Sequence, residues 1–336
     1  MTGGGPQDRA AGALYGLAIG DALGMPTESL PRSQIAARYG PLVDGFRAAP
    51  AGHPLAAGLP AGTVTDDTEQ AVLLAGLIIA GRGRVDGTAL ARELLAWEES
   101  MRARGSASLL GPSTRRALAA LQAGASPEEA GRHGTTNGAA MRIAPAGLAV
   151  PPERLDRLVG LVTEASRVTH NTSVALAGAA AVAAAVSAGV GGAGIAAATR
   201  AAVAAAQVAV RRGYWVAAAD VAARITWAAG LVAGQPAGRA LTLIYELVGT
   251  SLATQESVPA AFAVLAACPD DPWRACCLAA SLGGDTDTIA AMAGAIAGAC
   301  HGAEAFPAAA RQTVTEVNGL ALEPLAAGLL ELRAAA

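Results

Sequence analysis

Apolar residues recur along the chain at helical spacing, and no segment alternates apolar and polar residues as a half-buried strand would. Leu14, Leu17 and Ala18 share one stripe of a predicted helix over residues 8–23, and a second predicted helix covers residues 65–80. Further helices are predicted near residues 87–104, 112–123, 152–167, 172–188, 193–211, 215–232, 239–248, 256–267, 271–281, 286–300 and 317–333. The pattern predicts an all-α fold.

A Pro- and Gly-rich stretch over residues 26–62 interrupts the predicted helices. It exceeds the length of an ordinary connection, so we predict a functional loop there. No linker and no internal repeat of fixed period divides the chain, so we expect one compact domain over residues 1–336. The acidic motifs described below lie near both ends of the chain. The fold must therefore bring those ends together.

Composition narrows the chemistry that is available to the protein. With 53% hydrophobic and 15% charged residues, the chain is too apolar to be disordered. All 24 positive charges are Arg because the chain contains no Lys, which excludes Schiff-base chemistry and a P-loop lysine. The net charge of -3, without any basic run, argues against a nucleic-acid partner.

Residues 171–199 carry no charge and are numerous enough to cross a bilayer. Their Ala and Gly are only weakly apolar, and the segment lacks aromatic belts. Gly-Val-Gly-Gly at 189–192 instead predicts a break between two buried helices, so we expect no membrane partner. The N-terminus has no apolar signal-peptide core, and the four cysteines form no CxxC pair. We predict a cytoplasmic protein with free thiols.

Two acidic motifs stand at the starts of predicted helices. Four successive oxygen-bearing side chains run from Thr65 to Thr68, although capping a helix needs only one. Asp285 and Asp287 follow two glycines and lie two residues apart, so one turn could aim both at one ion. Capping remains an alternative for the first motif. Carboxylate and hydroxyl oxygens suit Mg²⁺ or Mn²⁺ rather than zinc.

Other polar residues stand out against the apolar background. Asp21 interrupts an apolar helix, where an Asp needs a buried partner, and Glu28 follows it at the start of the long loop. Residues 134–142, Gly-Thr-Thr-Asn-Gly-Ala-Ala-Met-Arg, expose backbone N–H groups that can hold phosphate, and Arg142 could hold a diphosphate. His170 can be a helix cap, a packed residue or a ligand.

Together these segments resemble the ADP-ribosylglycohydrolase family. The matching stretches, in family order, are GALYGLAIGDALGMPTE, TVTDDTEQAVLLA, TNGAAMRIAPAGL, VTHNTSVALAGAA and GGDTDTIAAMAGAIAGA. The resemblance runs from about residue 11 to residue 300. It implies a compact all-α fold with two divalent cations, Mg²⁺ or Mn²⁺, at the base of a cleft.

The resemblance also implies roles for individual residues. The metal ligands that it implies are Thr65, Asp66, Asp67, Asp285, Asp287 and Thr288. It implies catalytic roles for Glu28, Asp66 and Asp287, and contacts to ADP-ribose from Asn137, Gly138, Ala139 and His170. Asp21 corresponds better to a structural partner of the site than to a ligand.

One region departs from the family pattern. Bacterial members that act on arginine-linked substrates resemble each other in an acidic residue shortly before the segment that matches residues 111–114. This chain has Leu109 and Leu110 in that place. The expected base therefore becomes Glu28 or a water activated by the metal. Glu98 and Glu99 lie upstream, and we expect them on a solvated helix face.

Three functions are compatible with this pattern. The first is a hydrolase that removes ADP-ribose from protein side chains or small acceptors, through an oxocarbenium-like transition state that nearby carboxylates favour. The second is hydrolysis of another ribosyl N-glycoside, such as a nucleoside. The third is a non-catalytic protein that binds ADP-ribose-like ligands.

Overall fold

A computed structural model describes residues 4–103, 105 and 110–336. Within these ranges the chain forms helices and no β-strand, which confirms the all-α prediction. The α-helices are α1 (Pro6–Gly24), α2 (Arg32–Tyr39), α3 (Asp66–Ala80), α4 (Gly87–Ala103), α5 (Pro112–Gln122), α6 (Pro127–Ala130), α7 (Gly138–Met141), α8 (Ala144–Ala149), α9 (Leu155–Ser166), α10 (Ser173–Val190), α11 (Ile195–Ala209), α12 (Val221–Val232), α13 (Ala237–Leu243), α14 (Thr254–Ala267), α15 (Pro272–Ala280), α16 (Thr286–His301), α17 (Ala308–Asn318) and α18 (Leu322–Ala334). Two 3₁₀ turns, Met25–Thr27 and Ala303–Ala305, and a π-helical turn, Ile244–Val248, extend these helices.

Helices α1 and α16 lie so close together that their backbones are in contact. Glycines recur at every fourth position of α1 from Gly12 to Gly24, and this spacing places them on one face of the helix. A Cβ atom added to Gly16 would lie 2.0 Å from the carbonyl oxygen of Gly294, and one added to Gly20 would lie 2.0 Å from that of Ala290. The glycine face therefore allows the two ends of the chain to meet.

We expect Gly20→Ala to destabilise the protein, although Ala is the better helix former by about 1 kcal/mol. The added methyl group would overlap backbone atoms of α16, and such overpacking costs about 1–3 kcal/mol. Gly76 in α3 is the matched control, because nothing lies within 4 Å of a Cβ atom placed there. Urea unfolding should show Gly76→Ala as stable as the parent or more so. Equal stability of Gly20→Ala and the parent would contradict the close contact.

Helix α10 is the one helix of the described chain that is long and apolar enough to cross a membrane, with a mean hydropathy of 1.9 over 18 residues. All of that segment is buried inside the protein. It ends at Val190 and α11 begins at Ile195, which confirms the predicted break between two helices, although α11 is only partly buried.

The prediction of a long loop over residues 26–62 is wrong in part, because α2 forms inside that stretch. Ile35 supplies the buried contact of α2, which is otherwise mostly exposed, and one apolar residue gives little helical periodicity. The short helices α6, α7 and α8 were also not predicted, since helices of four to six residues carry no recognisable period. The assignment of residues 1–336 to one domain stays a prediction.

Candidate active site

Acidic side chains from distant parts of the chain meet at the floor of one cavity. The cavity has a volume of about 300 Å³. Its acidic lining, with one adjoining threonine, comes from the end of the first 3₁₀ turn and from the starts of α3 and α16: Glu28, Asp66, Asp67, Asp285, Asp287 and Thr288. All of these side chains are buried in the fold. The structure thus brings the two acidic motifs of the sequence together.

Glycines at the start of α16 bring Glu28 to this floor. Gly283 and Gly284 have φ angles of +90° and +82°, which favour glycine. The backbone of Gly284 accepts a hydrogen bond from Ser29 N (2.7 Å) and donates one to the Leu30 carbonyl (3.0 Å). A Cβ atom at Gly284 would lie 2.4 Å from the carbonyl oxygen of Thr250, so no larger residue fits. This short pairing places the segment after Glu28 beside Asp285.

Asp21 holds the N-terminus of α3 in place. Its carboxylate accepts hydrogen bonds from the backbone N–H of Thr65 (2.9 and 3.0 Å) and of Thr68 (3.1 Å). It also accepts from the hydroxyl groups of both threonines, at 2.8 and 2.5 Å. Asp21 is fully buried and does not line the cavity, which agrees with its predicted structural role. Thr65 also lies behind the lining, and its role as a metal ligand stays a prediction.

Arg142 lies behind the acidic floor rather than at a phosphate site. It is 1% exposed and donates hydrogen bonds to Gln70 Oε1 (2.9 Å) and Thr169 Oγ1 (2.6 Å). Gln70 Nε2 in turn donates to Asp66 Oδ2 at 3.2 Å. Burial lowers the pKa of Arg142 to about 10, and the charge of Asp66 opposes this shift. The expectation that Arg142 holds a diphosphate is wrong, because its guanidinium orients Gln70 and does not line the cavity.

The loop at the start of α7 forms one side of the cavity. Asn137 Nδ2 donates hydrogen bonds to Asp285 Oδ2 and to Ser257 Oγ, and both Asn137 and Gly138 line the cavity. A Cβ atom at Gly138 would lie 2.8 Å from Cε1 of His170, so the glycine lets the loop rest on the imidazole ring. Ala139 is buried below the loop.

His170 supports this loop from inside the protein. It is fully buried, and its ring nitrogens hydrogen-bond with Thr136 Oγ1 (2.9 Å) and Thr169 Oγ1 (2.7 Å). Burial lowers the pKa of His170 well below its ordinary value, and the charge of Arg142 adds to this shift, so the ring is neutral. Direct contact of His170 or Ala139 with a substrate stays a prediction. The structure gives both residues a position beneath the loop.

The carboxyl groups of the floor raise each other's pKa values. Burial is the largest cause for Glu28, followed by the charges of Asp287, Asp285 and Asp66. Burial and neighbouring carboxylates likewise raise the pKa of Asp67 and of Asp287 well above the ordinary value. Such a group of acids is stable in the ionised form only if cations offset its charge.

The donor atoms of the floor fit a hard divalent cation. Ligand oxygens of Glu28, Asp285 and Asp287 lie within 4.8 Å of one another. Glu28 Oε2 and Asp67 Oδ1 are buried without any hydrogen-bond partner, and such polar atoms require a partner of some kind. Carboxylate oxygens are the ligands that Mg²⁺ and Mn²⁺ prefer. The residues present therefore suit these cations.

The pKa shifts predict how pH and Mg²⁺ affect stability. Burial raises the pKa of Asp21 and Asp285 from 3.8 to about 6, so the folded chain binds these protons more tightly than the unfolded chain. Protonation therefore stabilises the metal-free protein below about pH 4, and this stabilisation is lost as the pH rises through about 6.

Thermal unfolding with a chelator present should show Tm falling over that pH range. We expect Mg²⁺ to raise Tm at about pH 7.5, where the acids are ionised, and to have little effect at about pH 4.5, where protons compete for the ligands. A Tm of the chelated protein that rises between those two pH values would contradict the assignment.

Sequence reasoning missed most of the cavity walls. The further lining residues are Ser29, Leu55, Leu110, Gly111, Pro112, Thr114, Arg115, Thr136, Met141 and Leu252. Arg115 is the cation among them, and its Nη2 donates to the Leu110 carbonyl at 2.8 Å. The sequence Gly-Pro-Ser-Thr at 111–114 marks the start of α5, but nothing local shows that this end of α5 faces the acids.

The acids upstream of this wall lie elsewhere. Glu98 is 6% exposed and accepts a hydrogen bond from Arg102 Nη2 at 2.8 Å, so its predicted place on a solvated face is wrong. Glu99 is exposed as predicted. Neither lines the cavity. Leu110 does line it, and Leu109 lies outside the described residues.

Comparisons with known proteins agree with this geometry. The sequence profile of ADP-ribosylglycohydrolases matches residues 3–336. The uncharacterized protein YegU of Escherichia coli is 36% identical over 327 residues, 97% of each chain. The ADP-ribosyl-[dinitrogen reductase] glycohydrolase of Rhodospirillum rubrum is 35% identical over 172 residues, 51% of this chain and 54% of that protein. A solved structure titled ADP-ribosylglycohydrolase-related protein complex has a TM-score of 0.69 and 28% identity, covering 97% of this chain and 98% of that one.

Proposed function

The chain belongs to the ADP-ribosylglycohydrolase family, and we propose that it is a metal-dependent hydrolase of the glycosidic bond in ADP-ribosylated protein side chains or small ADP-ribosyl acceptors. One observation carries the proposal: five buried carboxylates, those of Glu28, Asp66, Asp67, Asp285 and Asp287, line a single cavity with a loop that can hold phosphate. The names of two relatives, which refer to dinitrogen reductase and to ADP-ribosylarginine, support the substrate class.

The reaction adds water across the bond between the ribose and its acceptor. The water oxygen bonds to the anomeric carbon, the bond from that carbon to the acceptor breaks, and the acceptor leaves with a proton. The carboxylate of Glu28, which lines the cavity and whose Oε2 has no hydrogen-bond partner, would accept the proton that the water loses. The other carboxylates of the floor favour the positive charge that develops at the anomeric carbon.

The same residues can hold the cations that the family uses. Asp66, Asp67, Asp285, Asp287 and Thr288 would supply the ligands, with Thr65 as a further candidate behind them. When bound, divalent cations fix vicinal ribose hydroxyls and offset the negative charge of the floor. Asp21 and Gln70 keep the first turn of α3 in position by the hydrogen bonds described above.

The cavity walls would hold the rest of the substrate. The backbone N–H group at Gly138 and the guanidinium of Arg115 can hydrogen-bond to phosphate oxygens, whereas the N–H of Asn137 already donates to the Leu252 carbonyl at 3.0 Å. Leu55, Leu110 and Leu252 add apolar surface. The diphosphate would therefore lie between the α7 loop and the start of α5.

One assay tests this function against its alternatives. The purified protein is incubated with ADP-ribosylated arginine, ADP-ribosylated serine and free nucleosides, with Mg²⁺ or with a chelator. We expect release of ADP-ribose from at least one ADP-ribosylated acceptor, and loss of that release with the chelator. Cleavage of nucleosides alone would favour the second function. Binding of ADP-ribose without any cleavage would favour a non-catalytic protein.

We further propose a cytoplasmic location. All four cysteines are free, and Cys276, Cys277 and Cys300 are buried, which is typical of proteins in a reducing compartment. Fractionation of cells that express the chain would test this, and recovery in an oxidising compartment would contradict it.

A further inference from the structure

His53 lies in a loop over residues 49–59 that carries Leu55 into the cavity wall. Ala49 N donates to the Leu59 carbonyl at 2.9 Å and closes this loop. The His53 side chain is 5% exposed, and its Nδ1 accepts hydrogen bonds from the backbone N–H of Leu55 (3.2 Å) and of Ala56 (2.9 Å). The imidazole is therefore the internal support of the loop.

These two hydrogen bonds define the tautomer of the ring. Because Nδ1 accepts, the proton of the neutral imidazole lies on Nε2. Burial lowers the pKa of His53, an interaction with the Glu28 backbone opposes this shift, and Arg38 adds to it. The lone pair of Nδ1 is already used, so only the Nε2 proton can approach the Glu28 carbonyl. Nε2 is buried and has no hydrogen-bond partner of standard geometry.

The segment at Glu28 belongs to no regular helix and is held by contacts with other parts of the chain. Glu28 follows the first 3₁₀ turn in a more extended conformation, with φ and ψ of -54° and 138°. Ser29 has a φ angle of +59°, in the left-handed region that non-glycine residues rarely adopt. The two backbone hydrogen bonds with Gly284 hold Ser29 and Leu30, and the backbone of Glu28 itself interacts with the His53 ring. The position of the Glu28 carboxylate thus depends on how this backbone is held.

We propose that His53 is a positioning residue that links the Leu55 loop to the backbone of Glu28, through Nδ1 on one side and Nε2–H on the other. The Glu28 half of this proposal rests on the proposed function, because it concerns the base of the hydrolysis. The loop half concerns the backbone alone and does not depend on any activity. One side chain would then set both the wall that meets the substrate and the carboxylate that meets the water.

Two conservative variants separate the two halves. In His53→Asn the side-chain oxygen can take the place of Nδ1, but no donor reaches Glu28. In His53→Gln the amide nitrogen can take the place of Nε2, but the acceptor for the two loop N–H groups is lost. His133→Asn is the control, because His133 is exposed and does not line the cavity. Amide hydrogen exchange at Leu55 and Ala56, Tm, kcat and KM are measured for each variant.

For His53→Asn we expect parental exchange at Leu55 and Ala56, an unchanged KM and a kcat reduced about tenfold, because a catalytic group that is misplaced by less than 1 Å already loses rate. For His53→Gln we expect faster exchange at those amides, a several-fold higher KM, and a smaller reduction of kcat than in His53→Asn. Equal losses of kcat, KM and Tm in both variants would show a merely structural role and overturn the proposal. Parental behaviour of both would overturn it as well. If the parent hydrolyses no substrate, the proposed function fails, whereas the exchange rates still decide the loop half.

Discussion

Asp287→Ala should abolish Mg²⁺ binding and hydrolysis together while the helices stay folded. Asp287 is 3% exposed in the first turn of α16, and its Oδ1 accepts a hydrogen bond from Thr288 N at 2.9 Å. It shares a candidate ligand group with Glu28 and Asp285, so its removal leaves two of three clustered carboxylates. Burial, and then the charge of Asp285, raises its pKa well above the ordinary value. Loss of this acid therefore relieves repulsion in the metal-free protein and removes a ligand from the metal-loaded one.

Calorimetric titration with Mg²⁺ and circular dichroism measure the two effects separately. We expect no measurable Mg²⁺ binding by Asp287→Ala, a parental helical spectrum, and a metal-free Tm at about pH 7.5 no lower than that of the parent. Asp287→Asn, which keeps the shape and removes the charge, should behave in the same way. Asp270→Ala, which removes an exposed acid outside the site, is the control. Full activity of Asp287→Ala at saturating Mg²⁺ would disprove its role.

Glu28→Gln should reduce kcat by about 10²–10⁴-fold, the usual contribution of a general base. Glu28 is 7% exposed, lines the cavity, and has an oxygen, Oε2, without a hydrogen-bond partner. Gln has the same shape but cannot take up a proton from water. Arg32, a possible ion-pair partner by its position in the sequence, instead donates to Thr242 Oγ1 at 2.8 Å. No ion pair of the described residues thus offsets the charge of Glu28, and its side chain interacts with that of Asp287 instead.

Glu98→Gln is the sharpest control for this variant, since Glu98 is also a buried acid and is the alternative base that the sequence leaves open. Its carboxylate forms an ion pair with Arg102 at 2.8 Å and does not line the cavity, so we expect its turnover to stay near that of the parent. ADP-ribose affinity and Mg²⁺ affinity of Glu28→Gln are measured beside kcat. A kcat within a few-fold of the parent would place the base elsewhere. A fall in activity that higher Mg²⁺ restores would make Glu28 chiefly a ligand.

The acidic floor could be predicted from the sequence because its members violate the local pattern. Asp285 and Asp287 follow two glycines, and Asp21, which supports the floor from behind, interrupts an apolar helix, so each needs an explanation that packing alone does not give. Asp66 and Asp67 offer more oxygen atoms than a helix cap requires. Such departures are visible without knowledge of the fold. The sequence also predicts that the two motifs lie in one site, because both offer carboxylate and hydroxyl oxygens as ligands.

The walls and supports of the site could not be predicted in this way. Gln70 lies on the apolar helix α3 and Arg142 in the turn after α7, but only the fold shows that one orients Asp66 and the other orients Gln70. Arg115 lies on an ordinary amphipathic helix whose first turn happens to face the cavity. Glu98 looks solvated by its charge and is buried by the helices around it. These roles arise from tertiary contacts, which cannot be predicted from the spacing of apolar residues along the sequence.

The backbone contact between α1 and α16 has a consequence for synthesis of the protein. Gly16 faces Gly294, so the partner of the glycine face is made some tens of seconds after α1 has left the ribosome, at 5–20 residues per second. Until then the glycine face of α1 lacks its partner helix, and the acids at the start of α3 lie apart from Asp285 and Asp287. Contacts of such long sequence separation form late and slow folding. The nascent chain is thus spared the repulsion between its two acidic motifs, and no fragment that ends before α16 can assemble the floor of the cavity.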